Sequence, residues 1–346
     1  MDIASLLERP RPDSDEFSAL FEEALEGLER FNMMMTAWEM GLFDRTASPR
    51  TSGELAAESG HMEAMMSLLC DGLGEAGLLE RDGDRWVNSP MARTYLQSSS
   101  PLAMRCTLEK MRDVAKRWDR LDDLLRNGPQ MLDRTQVFGG QWLTSIAEWS
   151  RAGAVQSALA VVQANTDVRR WRRMMDLGGG HGLYSIAFTA LSPQLESWVF
   201  DLPGVIPLTQ SFIRNYGADR VHTVAGDFYK DDIGHGYDAI YSSFNQSGSD
   251  PELIPMLYKA LSQGGELVLR KHKDEAREGA LRTLDWNLVG FEGKQLGAKR
   301  FSSNRILPRD DYLHRLEAGG FQNVRAVPVD DMSEMILASK PFEEGN

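Results

Sequence analysis

The chain is poor in cysteine, with only Cys70 and Cys106 among 346 residues. Two thiols exclude a disulfide framework, and they point to a reducing compartment, expected to be the cytoplasm. Positive charge is also short. Lys and Arg total 38 against 51 Asp and Glu, a net charge of −13 at pH 7. A field of that sign repels phosphate backbones and anionic headgroups, so neither nucleic acid nor a membrane surface is an expected partner. No apolar run approaches the ~20 residues of a membrane span, and no basic-plus-apolar leader opens the chain. Histidine is scarce at six residues, and no His, Cys, Asp or Glu cluster has metal-ligand spacing, so no metal is expected. What is plentiful is ordinary core material: 42% hydrophobic and 26% charged residues describe a globular protein, long enough for two domains.

In residues 14 to 45 apolar side chains recur at helical spacing, at Phe17, Leu20, Phe21, Leu25, Leu28, Phe31, Met35 and Trp38, which predicts one long amphipathic helix or two. Thr51 and Glu54 form a capping-box pattern, and a helix follows through Met62, Met66, Leu69, Leu73 and Ala76. A hairpin comes next, Leu78 to Arg81 and Arg85 to Val87, turning through Asp82-Gly83. Helix, turn, helix and hairpin describe a winged helix. A DNA-reading role fails on charge: from Thr51 to Glu80 there is no Lys or Arg, whereas Glu54, Glu58, Glu63, Asp71, Glu75 and Glu80 are acidic. Residues 1–100 are therefore expected to be a packing or dimerisation domain. Residues 101–165 read as a helical bridge, irregular near Phe138-Gly139-Gly140.

From residue 166 to 346 the period changes. Strands are expected at Met174–Leu177, Trp198–Asp201, Val221–Val224, Tyr237–Ser242 and Glu266–Arg270. Helices are expected at Leu183–Leu191, near Val205–Asn215, Pro251–Leu261 and Arg277–Leu288, and near Arg309–Ala318. Such alternation predicts a parallel α/β sheet covered on both faces, with a late antiparallel pair at Gln322–Val327 and Glu334–Ala338. After the first strand runs Asp176-Leu177-Gly178-Gly179-Gly180-His181-Gly182. Counted from Gly178 the sixth position is Leu183, so the dinucleotide fingerprint is absent. Glycines at 178, 180 and 182 still let backbone approach a ligand closely at the carboxyl end of a strand. A carboxylate at Asp176 would oppose a pyrophosphate but suits a ligand bearing an ammonium and a sulfonium. Asp201, 25 residues on, stands where an acid can accept from two ribose hydroxyls; its alternative is a turn acid ahead of Leu202-Pro203-Gly204. Gly226-Asp227-Phe228 follows the third strand, where an acid and a ring suit an adenine.

With these motifs the chain resembles, over nearly its whole length, a class I S-adenosylmethionine-dependent methyltransferase of the two-domain small-molecule O-methyltransferase family. Thr36-Ala37-Trp38-Glu39-Met40-Gly41-Leu42-Phe43-Asp44 resembles the family's N-terminal helix signature. Asp176 to Gly182, Phe200-Asp201-Leu202-Pro203 and Gly226-Asp227-Phe228 resemble its three cofactor motifs. The resemblance implies a Rossmann-like domain behind an N-terminal, mostly helical winged-helix dimerisation domain, and a homodimer whose N-terminal helices interlock. It implies S-adenosylmethionine held by Asp176, Gly178, Gly180, Gly182, Asp201, Leu202, Gly226, Asp227, Phe228 and Ser242. It places Trp142, Trp149, Asn245, Trp286 and Phe291 in segments that line the acceptor pocket, though such rings are equally what a core contains.

The family's general-base His is missing. Aligned on Asp250, the run Phe244-Asn245-Gln246-Ser247-Gly248-Ser249 puts Gln246 at that position, and Gln295 stands where a glutamate usually orients the His. Amides cannot take a proton near neutral pH. The expected acceptor is then one that needs no deprotonation, whether a thioether sulfur, an ionised carboxylate or an activated enol carbon. It is favoured as the thioether sulfur of a small acid such as 4-methylthio-2-hydroxybutyrate, with Gln246 and Gln295 orienting it. The bacterial branch of the family that S-methylates this acid in dimethylsulfoniopropionate synthesis is similar in length and organisation. Arg105, Arg112, Arg270, Lys271, Lys273, Arg282 and Arg300 are candidates to hold the acceptor's carboxylate. An aromatic or polyketide hydroxyl acceptor, and a cofactor-binding homologue without transfer, remain open at this level.

Overall fold

The computed structural model describes residues 9, 11–132, 140–245, 248, 250–274, 279–291 and 307–342. Two compact units divide between Leu108 and Glu109.

In the first unit, α1 (Ser14–Glu39) is started by the Asp13 side chain, which accepts from the Asp15 N–H. Left-handed Gly41, at φ 68°, separates it from α2 (Leu42–Arg45), so the long apolar stretch is two helices. The next elements are β1 (Arg50–Thr51), α3 (Ser52–Ser59), α4 (Glu63–Glu75), β2 (Leu79–Asp82), β3 (Arg85–Asn88) and α5 (Pro90–Tyr95). The expected capping box is formed: Glu54 N donates to Thr51 Oγ1, and Thr51 N donates to Glu54 Oε2. The hairpin turns one residue later than its sequence suggests. Asp82 pairs with Arg85, which leaves Gly83 and Asp84 at the tip. A third strand, β1, joins β3 to make the order β1-β3-β2. Phe43, Leu55, Met66, Cys70, Leu73 and Trp86 form the core, where burial pushes the Cys70 thiol up to about 11.

The second unit takes in most of α6 (Arg105–Trp118), then α7 (Leu121–Asn127), β4 (Gln130–Leu132), α8 (Gln141–Trp149), a π-type turn at Ser150–Ala154 and α9 (Val155–Asn165). β4 pairs in parallel with β10 (Val289–Phe291), so the segment expected to be a helical bridge also contributes a strand. The main sheet is β5 (Arg173–Leu177), β6 (Glu196–Asp201), β7 (Val221–Ala225), β8 (Tyr237–Ser243), β9 (Leu261–His272), β11 (Gln322–Pro328) and β12 (Ser333–Ser339). Its order is β11-β12-β9-β8-β5-β6-β7. β12 runs antiparallel to both neighbours, and the other pairings are parallel. Helices α10 (Leu183–Leu191), α11 (Ile206–Tyr216), α12 (Ile254–Ala260), α13 (Ala280–Asn287) and α14 (Arg309–Ala318) connect the strands. The helix expected from Pro251 resolves into a 3-10 turn, Pro251–Leu253, and α12.

Two buried clusters account for the layered arrangement. Met175, Leu177, Phe200, Ile240, Leu267, Leu269 and Ile336 pack with α12 and α14 on one face. Met174, Ala239, Tyr241, Val268, Met335 and Leu337 pack with α9 and α10 on the other. Adjacent residues of one strand divide between the clusters, as side-chain alternation requires. The strand order reverses between β5 and β8, and in open α/β sheets the crevice at that reversal, beyond the carboxyl ends of the strands, is where ligands bind.

Candidate active site

Leu177, Gly178 and the glycines after it leave β5 at that reversal. Gly178 N donates to Phe200 O at 2.7 Å, so the loop stays fastened to the neighbouring strand as it turns. Gly180 N donates to Asp201 Oδ2 at 2.8 Å, and Thr209 Oγ1 donates to Gly180 O at 2.5 Å. Two glycines show why side chains are excluded. A Cβ on Gly178, which has φ 65°, would stand 2.6 Å from Asn245 Nδ2, and one on Gly179 would stand 2.5 Å from the Asp176 carboxyl carbon. Gly179 is a requirement that the expected set of 178, 180 and 182 omits. The run of three glycines is the sequence signal for it.

Asp176 is 1% exposed, in β5 beside the buried Met174, Met175 and Leu177. Its Oδ2 accepts from Ser185 Oγ at 2.8 Å. Oδ1 is buried with no hydrogen-bond partner among the described residues. Burial pushes the carboxyl up to about 7, and the nearby Asp201 charge adds to the rise. An orphaned carboxylate oxygen under a glycine loop fits a ligand that brings a positive charge or an N–H. Asp201, at the end of β6, accepts from Leu202 N on Oδ1 at 2.7 Å as well as from Gly180 N. Burial raises its pKa, partly offset by those two bonds. Each of its oxygens has accepted one N–H and retains capacity for another donor, as a pair of ribose hydroxyls would need. These observations fit S-adenosylmethionine.

The remaining expected cofactor residues form a second turn beside the loop. Gly226 N donates to Asp201 O at 2.9 Å, and the Phe200 ring occupies the space a side chain on Gly226 would need. Asp227 is engaged locally, with Oδ1 accepting from Tyr229 N and Oδ2 3.1 Å from Lys230 Nζ. Phe228 is half-buried against the core. Ser242 Oγ and Asn245 Nδ2 both donate to Leu177 O, at 3.0 and 2.6 Å. The residue expected on the cofactor and the one expected on the acceptor thus share the work of fixing the loop's first carbonyl.

The expected acceptor wall is only partly assembled. Trp142 is half-buried, and the Lys110 ammonium lies 5.0 Å above its ring; burial lowers the Lys110 pKa, with Arg117 contributing. Trp149 and Trp286 are 52% and 65% exposed, so neither walls an enclosed pocket within this chain. The reason is the faces their helices bury: α8 turns Leu143 and Ala147 inward, and α13 buries no residue. Phe291 pairs by its backbone with Leu132 in β10. Gln246, Gln295 and Arg300 lie outside the described residues.

Two cations proposed as carboxylate holders are structural. Arg270, 3% exposed, donates to Asp330, Ser333, Tyr184 and the Ala154 carbonyl. Lys271 donates to Asp274 at 3.0 Å and lies 3.9 Å from Glu334. His181 is buried in the loop itself. Its Nδ1 accepts from Leu183 N at 3.1 Å, so Nε2 carries the proton and donates to Ser150 Oγ at 3.0 Å. Burial, with help from Arg151, lowers its pKa to about 3, so the ring is neutral with both nitrogens committed. Among the described residues no group of His, Cys, Asp and Glu could hold a metal ion, and no helix is long and apolar enough to cross a membrane.

Comparison with known proteins agrees with this geometry. An O-methyltransferase domain matches residues 149–302, and an O-methyltransferase dimerisation domain matches residues 23–98. An uncharacterised protein of Methanocaldococcus jannaschii is 31% identical over 96% of this chain and 90% of its own length. The N,N-dimethyltransferase OxyT of Streptomyces rimosus is 26% identical over 88% of this chain and 92% of its own. In fold, the chain is similar to the crystal structure of human N-acetylserotonin methyltransferase in complex with S-adenosylmethionine. The TM-score is 0.72 at 22% identity, covering 94% of this chain and 98% of that one. The chain belongs to the two-domain O-methyltransferase family and is an S-adenosylmethionine-dependent methyltransferase.

Proposed function

We propose that the chain methylates a small acceptor whose attacking atom has no proton to lose, favoured as the thioether sulfur of a carboxylic acid such as 4-methylthio-2-hydroxybutyrate. The observation that carries this reading is the missing base. Gln246 would stand at the position of the family's histidine and Gln295 at that of its partner acid, while the loop's own His181 has both ring nitrogens engaged. Residues 166–346 would hold the cofactor, residues 1–100 would join two copies, and residues 101–165 would bridge them.

In this reading S-adenosylmethionine supplies the methyl group and a sulfonium that leaves as a neutral thioether. The chain's part is to bind and align. Asp201 would accept the ribose hydroxyls, Asp176 Oδ1 would face the cofactor's positive end, and the 226–228 turn would take the adenine. Gln246 and Gln295, as donors and acceptors of hydrogen bonds, would orient the acceptor. Alignment alone can lower a barrier by about 7–11 kcal/mol, enough for a neutral sulfur nucleophile.

A hydroxyl acceptor is the second reading, favoured by the O-methyltransferase domain that matches residues 149–302. Labelled S-adenosylmethionine offered with thioethers, thiols, hydroxy acids and phenols separates the two by product mass. With a thioether, single-turnover rates should stay level between about pH 6 and 9, because neither reacting group titrates there. A rate that climbs about tenfold per pH unit to a plateau would return the hydroxyl reading to first place.

A further inference from the structure

α8 rests on the glycine loop near both of its ends. Leu143 Cδ1 lies 3.0 Å from where a Cβ on Gly180 would stand, and Ser150 Oγ is 3.0 Å from His181 Nε2. From Ser150 onward the helix widens into the π-type turn, with Gly153 at φ 142°. Such turns frequently occur at functional sites because they displace one residue from the regular helical face. Here the turn's second residue is Arg151, whose charge reaches His181 in the loop and helps to lower its pKa. Arg151 has no ion-pair partner among the described residues, and its Nε is buried without a hydrogen bond. The buried cations of β9 differ, since Arg270 and Lys271 are both paired with acids. A guanidinium with no acid beside it is suited to an incoming anion.

We infer that Arg151 is the carboxylate-binding residue of this site. A guanidinium can grip a carboxylate through two parallel N–H bonds, which fixes direction as well as distance. Two carboxylates can come to the loop: that of the cofactor's amino-acid end and that of an acidic acceptor. The inference rests on the loop being the cofactor's seat. Complete absence of S-adenosylhomocysteine binding by the wild-type protein would refute that reading, and is distinct from binding that proves indifferent to Arg151.

The test uses the full chain and its Arg151→Gln and Arg151→Lys variants. Calorimetry compares S-adenosylhomocysteine with 5′-methylthioadenosine, which lacks the amino-acid end. Steady-state rates compare 4-methylthio-2-hydroxybutyrate with its methyl ester. If the cofactor's carboxylate is the ligand, Arg151→Gln should weaken S-adenosylhomocysteine about tenfold or more and leave methylthioadenosine unchanged. If the acceptor's carboxylate is the ligand, KM for the acid should rise about tenfold or more, with kcat, the ester and the cofactor's affinity little altered. Lys should restore part of either loss, since it keeps the charge without the fork. An Arg151→Gln protein that melts as wild type, binds both nucleosides as wild type and keeps its acceptor KM would overturn the inference. Should that variant fail to fold, wild-type binding decides: equal affinity for S-adenosylhomocysteine and methylthioadenosine, together with equal KM for acid and ester, also overturns it.

Discussion

Asp201 carries two duties with one carboxylate: it holds the loop through Gly180 N and still has capacity for hydroxyl donors. Asp201→Ala should therefore weaken S-adenosylmethionine by about 1.5–3 kcal/mol in calorimetry, the range for hydrogen bonds to a charged group. Unchanged affinity would remove it from the site. Two neighbours give the fold opposite responses to pH. The Asp176 carboxyl is lifted to about 7, so the folded chain keeps a proton that the unfolded chain releases from about pH 4 upward. Stability from this group falls as pH rises between those values and is level above. His181 is held near 3, so the unfolded chain takes up a proton below about 6.5 that the folded chain refuses, and stability falls as pH drops through that window. Denaturation across the acid range should show Asp176→Asn removing the first slope and His181→Gln removing the second. Parallel curves for either variant and wild type would contradict the burial argument.

At the scale of elements, what the sequence made legible was whatever is contiguous. The Asp176 to Gly182 run, the acid ending β6 and the Gly226 turn each announce themselves within a few residues, and α10 and α14 begin and end where their periodicity says. Pairings between distant segments carry no such mark: β4 and β10 are three residues each and find one another across more than 150 positions. Arg270 and Lys271 read as candidates to hold a carboxylate of the acceptor, because only the tertiary pairing of β9 with β12 reveals that the chain's own acids neutralise them. The exposure of Trp149 and Trp286 is likewise set by which helical face packs, which ring type alone does not determine. The Ser150–His181 link joins a turn and a loop with no shared motif. α1 shows the converse, a legible pattern lacking its partner. Phe17, Leu20, Phe21, Leu25 and Leu28 are all more than half exposed. Replacing Phe21 and Leu25 by Asp should leave the helix intact, since its N-cap at Asp13 is untouched, and should disrupt any assembly that uses this stripe.

For the whole molecule, that stripe together with the dimerisation-domain match over residues 23–98 predicts a homodimer. Light scattering should return twice 38.8 kDa for the wild type and a lower mass for the doubly substituted α1. A wild-type monomer at micromolar concentration would sink the prediction, because obligate helical interfaces are large enough to survive such dilution. The acidic surface keeps such a particle dispersed without recruiting polyanions. A last property follows from the seat of β12. It lies between β9 and β11, with Ser333 to Ser339 paired along β9 and Asp330 and Glu334 beside the β9 cations. A nascent chain leaving the ribosome at about 5–20 residues/s completes β9 several seconds before β12 exists. Through that interval β9 is the open edge of the growing sheet, and Arg270 lacks its acid while Lys271 already has Asp274. Translation that stops before residue 333 would therefore yield a sticky, half-closed sheet for the cell's proteases rather than a shorter enzyme.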